Sequence, residues 1–130
     1  MVRVSKIRLM RRHNFKKLQI WQLAIELIDE NYKLTATFPD YEKFGLRTQM
    51  NRCAVSIASN ISEGTSKSTD KHFIKFLDDS LGSAYEWETQ LIVCYRQGFI
   101  AKDLFLILED NVQALQSKIS NFIDTLDQDK

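Results

Sequence analysis

One proline and four glycines interrupt the whole 130-residue chain. That scarcity argues against many short strands joined by tight turns and favours long helices. The glycines are isolated, so there is no phosphate-cradling loop. Only two cysteines are present, Cys53 and Cys94, far apart and in no CxxC pair. This excludes a disulfide framework and a zinc knuckle. Both fall on apolar helical stripes, as buried, reduced thiols of a cytoplasmic protein would. No apolar run approaches the ~18 residues of a membrane span. Residues 1–14 lack the continuous apolar core of a secretory signal.

The two histidines, His13 and His72, have no second ligand at metal spacing and form no Glu-x-x-His pair. A Ser/His/Asp site would need one of them, on a mobile arm or at a helix start. Glu63, Glu86 and Glu88 read better as structural edges than as an acid–base pair, with Glu63 pairing with Arg52 or capping a loop. No catalytic residue, metal or cofactor is expected.

What the chain does have is amphipathic periodicity. Phe15 to Thr37 reads as a first helix with Leu18, Trp21, Ile25, Ile28 and Tyr32 as its bundle seam. Ile20, Leu23, Leu27 and Leu34 form a second apolar flank. Phe38-Pro39-Asp40 ends it. The second helix starts between Asp40 and Gly45 and runs to Glu63, with Gly64 as its left-handed stop. Its apolar stripe is Leu46, Met50, Cys53, Ile57 and Ile61. Its polar stripe is Gln49, Arg52, Ser56, Ser59 or Asn60, and Glu63.

Ser68 or Thr69 caps a third helix, Asp70 to Gln97, stopped by Gly98. Phe73, Leu77, Ser80, Ala84, Trp87, Leu91 and Cys94 form its seam. Ile74, Leu81, Tyr85, Ile92 and Tyr95 give it a second face. Ser80, Gly82, Ser83 and Ala84 are small and should admit a close neighbour, which would explain a mid-helix glycine. The fourth helix, Asp103 to about Leu126, carries Phe105, Leu108, Val112, Leu115, Ile119, Phe122 and Leu126. Four long helices on short loops predict an all-α, antiparallel up-down-up-down four-helix bundle. The expected organisation is a mobile basic arm over 1–14, a bundle over 15–127 and a frayed tail over 128–130. Met10 is a second candidate start.

Net charge is only +1, but it is unevenly placed. Residues 1–17 hold seven of the 18 Lys and Arg and none of the 17 acids, leaving 11 bases against 17 acids in the rest. A basic arm on an acidic body reads as an interaction tail. The bundle topology brings that arm to the same pole as Lys67, Lys71 and Lys75, where phosphates could be held. Asp124, Asp127 and Asp129 share the pole and dilute its field.

Several groups of residues together resemble a known family. They are Phe15-x-x-Leu18-x-x-Trp21-x-x-Ala24; Phe38-Pro39-x-x-Glu42-x-x-Gly45-Leu46; Gln49-Met50-x-Arg52-x-Ala54-x-Ser56-Ile57-x-x-Asn60-Ile61-x-Glu63-Gly64; Phe73-x-x-Phe76-Leu77; and Gly82-Ser83-Ala84-x-Glu86. The chain resembles, from Phe15 to Leu126, the four-helix-bundle proteins encoded in intervening sequences of bacterial 23S rRNA genes. Asn51 and Cys53 depart from the Arg and Ala often found there, and Trp87 from Leu. The resemblance implies a homopentamer whose bundles form a barrel. It also implies kinship with the accessory protein of diversity-generating retroelements, which has a basic surface and binds nucleic acid and a reverse transcriptase.

The expected function is a non-enzymatic homo-oligomer that binds RNA or DNA through Arg8, Arg11, Arg12, Arg47, Arg52, Lys67, Lys71 and Lys75. Gln49, Arg52, Ser56, Asn60, Glu63, Leu81 and Tyr85 are the expected oligomer interface. The alternative is a scaffold for another protein, such as a polymerase, without direct nucleic-acid binding.

Overall fold

The computed structural model describes residues 14–128. The arm residues Arg8, Arg11 and Arg12 therefore lie outside the described residues, as does the end of the tail. A 3-10 turn, Phe15–Lys17, precedes four helices: α1 Gln19–Thr35, α2 Leu46–Thr65, α3 Asp70–Arg96 and α4 Lys102–Gln128. A second 3-10 turn, Asp40–Glu42, lies between α1 and α2. No described helix is long and apolar enough to cross a membrane.

The hydrogen-bond register makes neighbouring helices antiparallel. Asn31 meets Asn51, and Thr35 meets both Asn51 and Arg47. Ile57 faces Ser80 while Cys53 faces Ser83. Glu88 meets Gln113 and Gln116, and Tyr95 stacks on Phe105 with ring centroids 4.4 Å apart. The result is the expected up-down-up-down four-helix bundle.

The core follows the anticipated stripes of α2, α3 and α4. Met50, Cys53, Ile57 and Ile61 are buried against Phe73, Leu77, Trp87, Leu91, Leu108, Val112, Leu115 and Ile119. On α1 the two stripes exchange roles. Ile20, Ala24, Leu27, Asn31 and Leu34 are buried, whereas Leu18, Trp21, Ile25 and Ile28 are only partly covered and Tyr32 is 48% exposed. The true seam has the same 4-3-4-3 step but contains a small residue and an amide. A helical seam accepts an asparagine when its hydrogen bonds are met inside the bundle.

Two glycines also act differently from expectation. Gly64 lies within α2 and is buried, and a Cβ there would come within 2.7 Å of the Phe73 ring. It is a close-approach point, and α2 continues through it to Thr65. Gly82 faces open space, with nothing within 4 Å of where a Cβ would stand. The small residues that do meet α2 are Ser80 and Ser83, while the Ala84 carbonyl faces Gln116 of α4. Gly98, with φ +81°, is the left-handed stop of α3. Thr69 caps α3 by accepting the His72 amide.

Candidate nucleic-acid and assembly face

The start of α2 is built by one side chain ahead of the helix, Glu42, and one in its first turn, Arg47. Gly45 holds the cap position and has no side chain to offer, so Glu42 Oε1 accepts the Leu46 amide at 2.9 Å. A Cβ on Gly45 would come within 2.6 Å of that oxygen. Arg47 then reaches back to α1. Its Nε donates to the Thr35 carbonyl at 2.9 Å and its Nη2 to the Phe38 carbonyl at 3.2 Å. The Thr35 carbonyl closes α1 and also accepts the Phe38 amide, the Phe38 carbonyl follows the helix, and neither has an i+4 helical donor. The Arg47 guanidinium is thus half-buried and joins α1 to α2.

Next along α2 a polar network crosses the core, which the sequence patterns did not signal. Asn31 is fully buried; its Nδ2 donates to Asn51 Oδ1 at 2.7 Å and its Oδ1 accepts from Trp87 Nε1 at 3.0 Å. Thr35 Oγ1 donates to the same Asn51 oxygen at 2.9 Å. Three helices are therefore tied at one level. Because Asn51 Oδ1 takes both inward donors, its NH2 group is the half left to face outward.

The polar stripe of α2 divides in two. Ser56 and Asn60 are half-buried and bonded within the chain. Ser56 Oγ donates to the Cys53 carbonyl at 2.7 Å and meets Ser83 Oγ at 2.8 Å, while Asn60 Nδ2 donates to the Ser56 carbonyl at 2.9 Å. Gln49, Arg52, Ser59 and Glu63 are exposed. Glu63 forms no ion pair with Arg52 among the described residues. Leu81 packs against the core, and Tyr85 is exposed.

The cationic candidates fall into separate groups. Arg47 and Arg52 lie in the first half of α2. Lys67, Lys71 and Lys75 follow its end; Arg52 and Lys67 are fifteen residues apart, or ~22 Å along a helix axis. Lys67 Nζ sits 4.8 Å from the Phe76 ring centroid, while Lys71 and Lys75 project into solvent. Asp70, Asp78 and Asp79 share α3 with those lysines. Between Glu42 and Glu63, by contrast, there is no Asp or Glu at all.

The thiols are chemically quiet. Burial first, then the Glu86 carboxylate, pushes Cys53 up to about 12, and burial with the Glu42 charge pushes Cys94 up to about 12. A thiol at such a value stays protonated at neutral pH and is a poor nucleophile. Among the described residues, no group of three His, Cys, Asp or Glu side chains could hold a metal ion.

Residues 16–121 match the family described as 23S rRNA-intervening sequence protein. The chain belongs to this family. A crystal structure at 1.70 Å of a protein with unknown function, from the S23 ribosomal protein family of Bacteroides thetaiotaomicron VPI-5482, has the same fold. The two share 20% identity over 80% of this chain and 97% of the other, with a TM-score of 0.75. No curated protein matches this chain. Within this family member, several residues that carried the resemblance have structural tasks. Glu42 and Gly45 start α2, Gly64 admits Phe73 and Phe76, and Ser56 and Ser83 join α2 to α3.

Proposed function

We propose that this protein is a non-enzymatic, homo-oligomeric bundle that binds nucleic acid through backbone contacts on the outer face of α2. The supporting observation is the acid-free run between Glu42 and Glu63, with Arg52 exposed and without an ion pair among the described residues. Elsewhere the body is rich in carboxylates, so this face is where a polyanion meets least repulsion. Lys71 and Lys75, exposed near the start of α3, form a second cationic region; Arg8, Arg11 and Arg12 lie outside the described residues.

Assembly is supported by apolar side chains left outward on two adjacent helices. Tyr85, Ile92 and Val93 on α3 and Leu104, Leu106 and Ile107 on α4 are all exposed. The antiparallel register puts Ile92 and Leu106 on the same side of the Glu88–Gln113 contact, toward the α3–α4 connection. Tyr85, Ile92 and Leu106 along this seam form a surface suited to another copy of the chain, while Leu104 and Ile107 border grooves against α1. A pentamer is the expected state.

Light scattering behind size exclusion, with and without RNA at two salt concentrations, tests both parts. The expected result is a mass near five times 15.2 kDa and RNA retention that weakens steeply with salt. A 15.2 kDa particle would refute assembly. An assembled particle that retains no RNA at low salt would refute nucleic-acid binding.

A second reading, a scaffold for another protein, is favoured by one loop. Tyr41 and Phe44 are 77% and 86% exposed beside the start of α2. Aromatic side chains projecting this far are suited to a protein partner's pocket.

A further inference from the structure

The seam between α1 and α2 opens outward as a groove of about 480 Å³. Tyr32 forms one wall, and Asn51, Arg52, Val55 and Ser59 line the rest. The groove lies directly over the buried Asn31–Asn51 contact. No carboxylate lines it.

Its chemistry is one-sided. Arg52 brings a permanent cation that is engaged by no acid among the described residues. Asn51 brings an NH2 group whose direction is set from inside, since Asn31 and Thr35 both hold its oxygen. The Asn51 amide is thus positioned before any ligand arrives and needs little ordering on binding, while the exposed Arg52 side chain is ordered by the anion it meets. Tyr32 is 48% exposed and Val55 39% exposed, which supplies a flat apolar wall beside the donors. Donors for an anion next to an aromatic face match a nucleotide, with its phosphate and its planar base.

We propose that this groove is a subsite for one nucleotide of a single-stranded nucleic acid, with the base against Tyr32 and Val55 and the phosphate on Arg52 and the Asn51 amide. The proposal rests on the nucleic-acid reading above and gives it a place and a strand preference. A duplex keeps its bases paired and stacked, so it offers no free base face to Tyr32. A single strand does. An acidic peptide would satisfy Arg52 but leave the Tyr32 wall without a planar partner.

Fluorescence anisotropy of the full chain with a labelled oligouridylate of about 12 nucleotides tests this at low salt. A duplex RNA of equal charge, a matched oligothymidylate and unlabelled polyglutamate complete the set. The oligouridylate or oligothymidylate should bind more tightly than the duplex, and the tighter of the two identifies the source of the strand. Tyr32→Ala should weaken single-strand binding about tenfold, whereas Tyr32→Phe, which keeps the ring, should stay within about twofold. Arg52→Gln should weaken binding and lower the log–log salt slope by about 0.7. Circular dichroism melts of each variant establish that the bundle is intact.

Tyr32→Ala and Arg52→Gln proteins that bind as wild type, while Lys71→Ala and Lys75→Ala weaken binding, would overturn the subsite and leave the nucleic-acid reading standing. Displacement by polyglutamate as efficient as by unlabelled oligouridylate would also overturn it. A wild-type protein that binds none of the nucleic acids would overturn both.

Discussion

The Asn31 network makes a quantitative claim that a double-mutant cycle can test. Asn31→Leu keeps the branched side-chain shape but removes the donor to Asn51 and the acceptor for Trp87 Nε1. Trp87 is fully buried, so its N–H is left without a partner and without water. An orphaned buried donor costs ~1–3 kcal/mol. The expected loss for Asn31→Leu is about 2–3 kcal/mol. Trp87→Phe removes the other half of the same bond, orphans Asn31 Oδ1 and leaves a cavity, for about 2–4 kcal/mol. In the double variant neither orphan of that bond remains. Its loss should therefore fall short of the sum of the single losses by about 1–2 kcal/mol. Guanidinium unfolding at one fixed protein concentration measures all four proteins, since assembly makes apparent stability concentration-dependent. Losses that add to within about 0.5 kcal/mol would refute the coupling.

Arg47→Ala should destabilise the bundle by about 1.5–3 kcal/mol, because the Thr35 and Phe38 carbonyls lose a charged donor; a melt unchanged from wild type would contradict that role. The two helical glycines should respond in opposite directions in chemical unfolding. Gly64→Ala forces a methyl against the Phe73 ring and should cost about 1–3 kcal/mol, while Gly82→Ala meets open space and should add up to about 1 kcal/mol. Gln90 Oε1 is buried and has no hydrogen-bond partner among the described residues. Gln90→Met should thus raise stability by about 1 kcal/mol, and a loss would show that this oxygen is satisfied in solution. Both thiols have raised folded values near 12 against an ordinary 9.0, so their stabilisation is complete below pH 9 and is lost as pH rises toward 12. Relative to a Cys53→Ala/Cys94→Ala protein, the wild type should lose about 1 kcal/mol per thiol between pH 9 and pH 10 in urea titrations. Parallel pH curves would contradict it.

The parts of the fold that depend on apolar spacing were legible in the sequence. The seam of α4 needed only its unbroken 3-4 rhythm, and that of α3 included Ser80 and Trp87 without difficulty. On α1 the same rhythm occurs twice, in two offsets. Bulk favoured Trp21, Ile25 and Ile28, while the bundle buried Ala24 and Asn31. Spacing carries no record of whether an amide will find partners on two other helices. For the same reason the polar stripe of α2 was legible as a stripe but not as its two halves. Ser56 turns inward because Ser83 stands opposite it, a fact of register between helices. Arg47 and Arg52 look alike in sequence. Only the nearby carbonyls of Thr35 and Phe38 distinguish the helix tie from the exposed cation.

Asn51, Cys53 and Trp87 are the three places where this chain departs from the residues often found in proteins it resembles. Two of them meet through one side chain: Asn31 donates to Asn51 and accepts from Trp87. The third, Cys53, donates to the Ser83 carbonyl. An arginine at position 51 would put a charge beside the fully buried Asn31, where it would lack a carboxylate partner from α1 or α2. A leucine at position 87 would leave Asn31 Oδ1 without a donor. The two departures are thus mutually dependent on Asn31, and exchanging either alone should be worse than exchanging both with Asn31 replaced by an apolar residue. The same exchange has an outward face. With Asn51 held by its oxygen, the α1–α2 groove keeps a neutral amide donor beside Arg52 where a second arginine would otherwise stand. The loss of that charge lowers the pull on any polyanion, and the fixed amide and the Tyr32 wall then weigh more in what the groove selects. Core packing and surface recognition in this bundle are set at the same residue.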